Sequence, residues 1–219
     1  MKRNLESRIS NLESERHRSR AGILVILGLT LACGGIRTIS RDGYRAQIVF
    51  GGQERYAIAL RGEKRRVEGD FEGSKLVKIM RPDLGKTFQF RPSTKKLFEE
   101  PWHPTDEIVP GYPLEPAFDP HAYADRFHAT VQRIDDAIHG IHPCERFSFA
   151  LPSGDFVTVW VARDLERLPV KVEHEKKKDE ELAPFKVVEL LDIRIGADPD
   201  LFEKPKGYTA VRSYQELAR

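Results

Sequence analysis

Two cysteines in 219 residues leave no room for a disulfide framework or a four-cysteine zinc module. Charge of one sign is also missing. The 36 basic and 34 acidic residues nearly cancel, to a formal +2, which argues against a dedicated nucleic-acid binder. No apolar run approaches the roughly 20 residues a spanning helix needs. The G-x-S-x-G elbow, the phosphate-binding P-loop and G-x-G-x-x-G are all absent, as is any convincing internal repeat. These absences make enzyme chemistry the least supported class, and we expect no enzyme and no cofactor.

What is present suits a folded domain. Forty per cent of the residues are hydrophobic and 32% are charged, enough for a packed core under a solvated surface. The apolar run Ala21–Ala32, AGILVILGLTLA, has twelve residues and follows the basic Arg16, Arg18 and Arg20. That is the length and flank of a signal-peptide apolar region. It ends in Leu31-Ala32-Cys33-Gly34, which resembles the lipobox of bacterial lipoproteins. The resemblance implies diacylglycerol on the Cys33 sulfur and cleavage between Ala32 and Cys33, with the membrane as partner through that lipid. It places the rest of the chain in the bacterial envelope, facing the periplasm. Gly34, where an Asp would favour inner-membrane retention, points toward the outer membrane.

After a tether over residues 33–42 the pattern turns to strands. Tyr44–Phe50 and Tyr56–Leu60 flank Gly51-Gly52, a hairpin signal. Residues 65–69, 75–80, 87–91 and 97–99 continue a meander of short strands. Six prolines between Pro101 and Pro120 bar sheet and helix interiors. They predict an extended surface loop carrying Trp102, Tyr112 and Phe118, with Trp102 a candidate lid. Asp119-Pro120 then reads as the cap and first position of a short helix to about Phe127. A second meander covers 129–134, 145–151, 156–162, 169–174 and 185–195, with the charged run 173–182 as a hairpin tip. Pro199–Phe202 reads as a short turn, and 213–218 as a terminal helical turn.

Three ordered segments carry a family resemblance: IMRPDLGKTFQFRPSTKKLFE within Lys78–Glu99, VWVARDLERLPVKVE at Val159–Glu173, and DLFEKPKGY at Asp200–Tyr208. Together, behind a lipobox, they resemble the LolA/LolB-like superfamily of outer-membrane lipoprotein-sorting proteins. The resemblance implies a mainly β fold: one large curved antiparallel sheet, nine to eleven strands here, forming an unclosed β-barrel with a few short helices over its concave face. The resulting division is signal peptide 1–32, tether 33–42, half-barrel domain 43–210 and tail 211–219. In that family the cavity takes acyl chains, so a lipid or acylated protein is the implied ligand. Alternation alone nominates Phe88, Phe90, Phe147, Phe149, Val159 and Val161 as cavity lining, with plain core as the other reading. Related half-barrels also occur in periplasmic regulators that bind other envelope proteins, so an interaction or sensing module is the second reading. The third is a metal site at His139, His142 and Cys144, with His128 or His121 as a fourth ligand.

Overall fold

The computed structural model describes residues 38–104, 108, 112–178 and 181–218. The signal segment, Ala32 and Cys33 lie outside them. The first element is the four-residue helix α1 (Ile39–Asp42), followed by six strands in a meander: β1 (Tyr44–Phe50), β2 (Glu54–Arg61), β3 (Lys64–Phe71), β4 (Ser74–Arg81), β5 (Lys86–Arg91) and β6 (Lys96–Pro101). Helix α2 (Pro120–Phe127) leads into a second meander of β7 (Thr130–His139), β8 (His142–Ala150), β9 (Phe156–Ala162), β10 (Leu168–Lys178) and β11 (Glu181–Ile195). A short β12 (Thr209–Val211) and helix α3 (Tyr214–Ala218) complete the described residues.

All twelve strands form one sheet in the order β12-β6-β5-β4-β3-β2-β1-β11-β10-β9-β8-β7. The two meanders meet where β1 pairs with β11. Every neighbouring pair is antiparallel except β12, which lies parallel to β6. The outermost strands, β7 and β12, do not pair, so the sheet is not closed into a barrel. Three short helices accompany it among the described residues.

Local chemistry explains the connections. Gly51 and Gly52 both take positive φ, 54° and 75°, which a two-glycine turn supplies without steric strain. The Asp119 side chain accepts from the N–H groups of His121 and Ala122, at 2.8 and 3.3 Å, and Pro120 occupies the first helical position. The expected helix therefore forms where its cap and proline place it.

The sheet has a core on each face, and β2 shows the division most simply. Ile58 and Leu60 belong to one hydrophobic cluster and Ala59, between them, to the other. Successive side chains on a strand point to opposite faces. The larger cluster lies under α2, where the Tyr123 ring sits 4.9 Å from that of Phe149. The smaller is closed by the 3₁₀ turn Pro199–Phe202, whose Phe202 is fully buried.

Several details depart from expectation. β7 and β8 run to His139 and from His142, so the His-Gly-Ile-His segment is the tip of a long hairpin rather than a loop between short strands. The second half of the proline-rich segment is packed: Tyr112, Leu114 and Phe118 are buried in the larger cluster, and the Tyr44 hydroxyl donates to the Leu114 carbonyl at 2.8 Å. Prolines excluded regular hydrogen bonding there, but they do not exclude burial. The stretches assigned to tether and tail also contribute, since Ile39 and Leu217 are both buried.

Candidate functional site

The six residues nominated by alternation do not share one surface. Phe147, Phe149, Val159 and Val161 are buried in the larger cluster, on the α2 face. Phe88 and Phe90 are buried on the opposite face with Val77, Ile79, Leu97 and Phe202. Phe88 pairs with Ile79 and Phe90 with Val77, so their shared face follows from register. The expectation that all six line one cavity is corrected: period 2 groups residues within a strand but does not say which face of a distant strand they join. All six are closely packed, and none borders the recesses described next.

The open apolar space lies along the α2 face from the four buried residues, at β1–β3. Ile48, Phe50, Tyr56, Val67 and Phe71, with Ile108 from the proline-rich segment and Glu54 at the rim, enclose a pocket of about 200 Å³. Its aromatic wall is ordered. The Phe50 and Tyr56 rings meet edge to face at 5.6 Å, and Tyr56 and Phe71 lie 5.5 Å apart. Gly69 makes this possible: a Cβ there would stand 2.2 Å from the Tyr56 ring. The ring occupies the space a side chain on β3 would take, as aromatic residues do over strand glycines. Burial raises the Tyr56 hydroxyl pKa, aided by the neighbouring Glu54 carboxylate, so this wall is neutral at physiological pH. Sequence reasoning missed this pocket. Its signals were Gly69 inside a strand and the aromatic residues at positions 50, 56 and 71.

Trp102 is half-buried just after β6, its main-chain N–H donating to the Gly85 carbonyl at 3.1 Å. It does not border the pocket. Ile108, six residues later, does.

The histidine–cysteine group is brought together but each member is otherwise engaged. His142 Nδ1 lies 2.8 Å from an Asp164 oxygen, and His139 Nε2 lies 3.3 Å from the Leu190 carbonyl. Cys144 is buried and donates to the His142 carbonyl at 3.4 Å. Burial pushes its thiol up, away from the thiolate a metal requires. Among the described residues no group of three or more His, Cys, Asp or Glu side chains is placed to hold a metal ion. His121 sits in the first turn of α2 and His128 at its C-terminal cap.

The same hairpin tip is apolar and open. Ile138 and Ile141 are 76% and 87% exposed, and Ile134 on the same edge strand is 47% exposed. The tip borders a cleft of about 490 Å³ against Leu190–Ile193 and Arg55.

No protein-family model matches the sequence, and no curated protein does. Solved structures do match. MucB shares 14% identity at a TM-score of 0.53, over 80% of this chain and 62% of that one, so this chain spans less than two thirds of its length. The MucA/MucB complex of Pseudomonas aeruginosa matches at 11% identity and a TM-score of 0.49, over 78% and 58% of the two chains. A LolA superfamily protein, NE2245 of Nitrosomonas europaea, matches at 13% identity and a TM-score of 0.33, over 77% and 93%. The likeness is one of fold. The sheet itself, antiparallel but for β12 and not closed, agrees with the architecture that the LolA/LolB-like resemblance implies.

Proposed function

We propose that this chain is a lipid-anchored protein of the bacterial cell envelope that binds the apolar part of a lipid or acylated protein on the α2 face of its sheet. It acts by binding and not by catalysis. The observation that carries this reading is the pocket at Ile48, Phe50, Tyr56, Val67 and Phe71: an apolar recess in a sheet whose own ladder pairs the backbone groups. Each CH₂ withdrawn from water there contributes ~0.8 kcal/mol. At about 200 Å³ the recess is smaller than the roughly 300–1,000 Å³ of most small-molecule sites. It therefore takes the end of an acyl chain or a short chain, with the remainder outside.

The anchor is Cys33, released from residues 1–32 and acylated. Only Gly34–Arg37 separate it from the first described residue, Thr38. At roughly 3.3–3.6 Å per residue the domain then sits within about 20 Å of the membrane surface, close enough to exchange a chain with it. The direction is periplasmic, and Gly34 favours the outer membrane. Native mass spectrometry of the chain from a bacterial host tests this. The expected species lacks residues 1–32, carries diacylglycerol on Cys33 and holds a non-covalent adduct of lipid mass. A Cys33→Ser chain loses the covalent lipid and keeps the adduct. A clean mass after incubation with membrane lipids contradicts the binding reading.

A second reading, an envelope interaction module, is favoured by the exposed Ile134, Ile138 and Ile141 on the open edge of the sheet. Apolar exposure of this kind marks interaction surfaces. MucB, with which the chain shares its fold, has been solved in complex with MucA. Under this reading Ile141→Asp abolishes capture of a partner and leaves lipid adducts unchanged.

A further inference from the structure

The face opposite α2 carries a second recess, of about 380 Å³, that the apolar-ligand reading does not use. Its basic residues are Arg45 on β1, Arg66 on β3 and Arg194 on β11. Register fixes their arrangement. Arg45 stands directly opposite Arg194 on one side and Ala59 on the other, and Ala59 stands opposite Arg66. The row Arg194–Arg45–Ala59–Arg66 thus crosses four adjacent strands, with neighbours roughly 5 Å apart. Ala59 and Ala57 form the floor, so the row has two guanidiniums at one wall, one at the other and a gap between.

Arg45 and Arg194 are both exposed, and this arrangement sets their like charges side by side. Like charges directly opposite across a ladder are destabilising. Among the described residues neither the Arg45 nor the Arg194 side chain has a carboxylate partner or a hydrogen bond. Arg66 is already committed, at 2.8 Å to Glu68 and 3.2 Å to the Leu201 carbonyl, and Lys75 also binds Glu68. The lining is left with two unmatched guanidiniums against the single carboxylate of Asp192. The ladder is also interrupted here. Between Arg45 and Gln47 the register with β11 shifts by one residue, and Asp192, in the extra length of β11, holds φ at +53°. A bulge bends its strand and re-aims side chains, and the left-handed region is sparsely populated by non-glycine residues. Like-charge opposition, a bulge, a left-handed aspartate and an alanine floor coincide at one recess.

We propose that this recess binds a phosphate group, held between Arg45 and Arg194 on one side and Arg66 on the other. Guanidinium forks match the oxygens of a tetrahedral phosphate and do not lose their charge. The volume exceeds that of the anion alone, so the phosphate can carry a polar substituent. Two sources share this chemistry: a soluble phosphate ester and a phospholipid headgroup.

The test is thermal unfolding of the full chain in non-ionic detergent, titrated with inorganic phosphate against acetate and chloride at constant ionic strength. Micelles doped with phosphatidylglycerol form a separate arm. Phosphate is expected to raise the midpoint saturably, by roughly 5–10 °C at a hundredfold excess over its Kd. The Arg45→Gln/Arg194→Gln chain is expected to melt as high or higher without phosphate, since the repulsion is gone, and to lose the rise. A rise with phosphate alone assigns a soluble ligand, and a rise with phosphatidylglycerol micelles assigns a headgroup. An equal rise in acetate, an equal rise in the double variant, or no rise in either arm overturns the proposal.

Discussion

The guanidinium of Arg81 donates to the main-chain carbonyl of Phe202 at 3.0 Å, across 121 residues of sequence. The same group reaches Glu203 at 3.0 Å and holds Asp83 through two bonds of 2.8 Å. Arg81 is only 6% exposed. It ties the 3₁₀ turn that buries Phe202 to the end of β4, and so closes the smaller core. Replacing it with glutamine leaves the turn unheld and the carbonyl of Phe202 short of a donor. Arg81→Gln is expected to lose about 2–3 kcal/mol, seen as a fall of roughly 5–10 °C in the unfolding midpoint. An unchanged midpoint would show that the turn is held by Phe202 packing alone.

Glu166 supplies a second long-range tie. It accepts from the N–H of Ile39 at 2.9 Å and that of Ser40 at 3.1 Å, and also from the Ser40 hydroxyl. It thus caps α1 from the turn after β9, where the N-cap residue Thr38 makes no side-chain cap of its own. The Ser40 hydroxyl, chiefly, lowers the Glu166 carboxyl below its ordinary 4.5. The tie is therefore complete above that pH and is lost as pH falls through the lower folded value. Glu166→Ala is expected to weaken the turn by about 1 kcal/mol, so that amide exchange at Ile39 and Ser40 quickens roughly fivefold. Unchanged exchange at Ile39 and Ser40 would contradict the cap.

His174 makes the fold sensitive to mild acid. Burial holds its imidazole below the ordinary 6.5, helped by the charge of Lys186 and opposed by Asp155. The unfolded chain consequently binds this proton at a higher pH than the folded one. Stability falls as pH drops below about 6.5, and continues to fall until the folded imidazole also protonates. Denaturant midpoints measured from pH 7.5 to 5 are expected to slope downward, and His174→Gln is expected to flatten that slope. An equal slope in the variant would assign the acid sensitivity elsewhere.

Much of the architecture was legible in local patterns. Gly51-Gly52, Asp119-Pro120 and the alternation of β1 and β2 each state a local structure that the fold keeps. The segments quoted for the family resemblance also meet in space, because Arg81 and Asp83 lie in the first and Phe202 and Glu203 in the last. The candidate site was less legible. Phe88 and Phe149 look alike in a strand pattern, yet they pack on opposite faces, because the pairing register carried from strand to strand through the sheet decides the face. The parallel strand β12 has only three residues and no pattern of its own. The pocket depends on Gly69, whose role is to leave room for Tyr56 across the ladder, a relation that only pairing register reveals.

The central claim is that the recess beside Val67 takes an apolar chain. Its most direct test is equilibrium binding of a fluorescent fatty acid to the native chain and to Val67→Phe, which fills the recess from a partly buried position. The account predicts saturable binding by the native chain and at least a tenfold loss in the variant, with an unfolding midpoint within a few degrees of native. Equal affinity in the two chains, both folded, would contradict it.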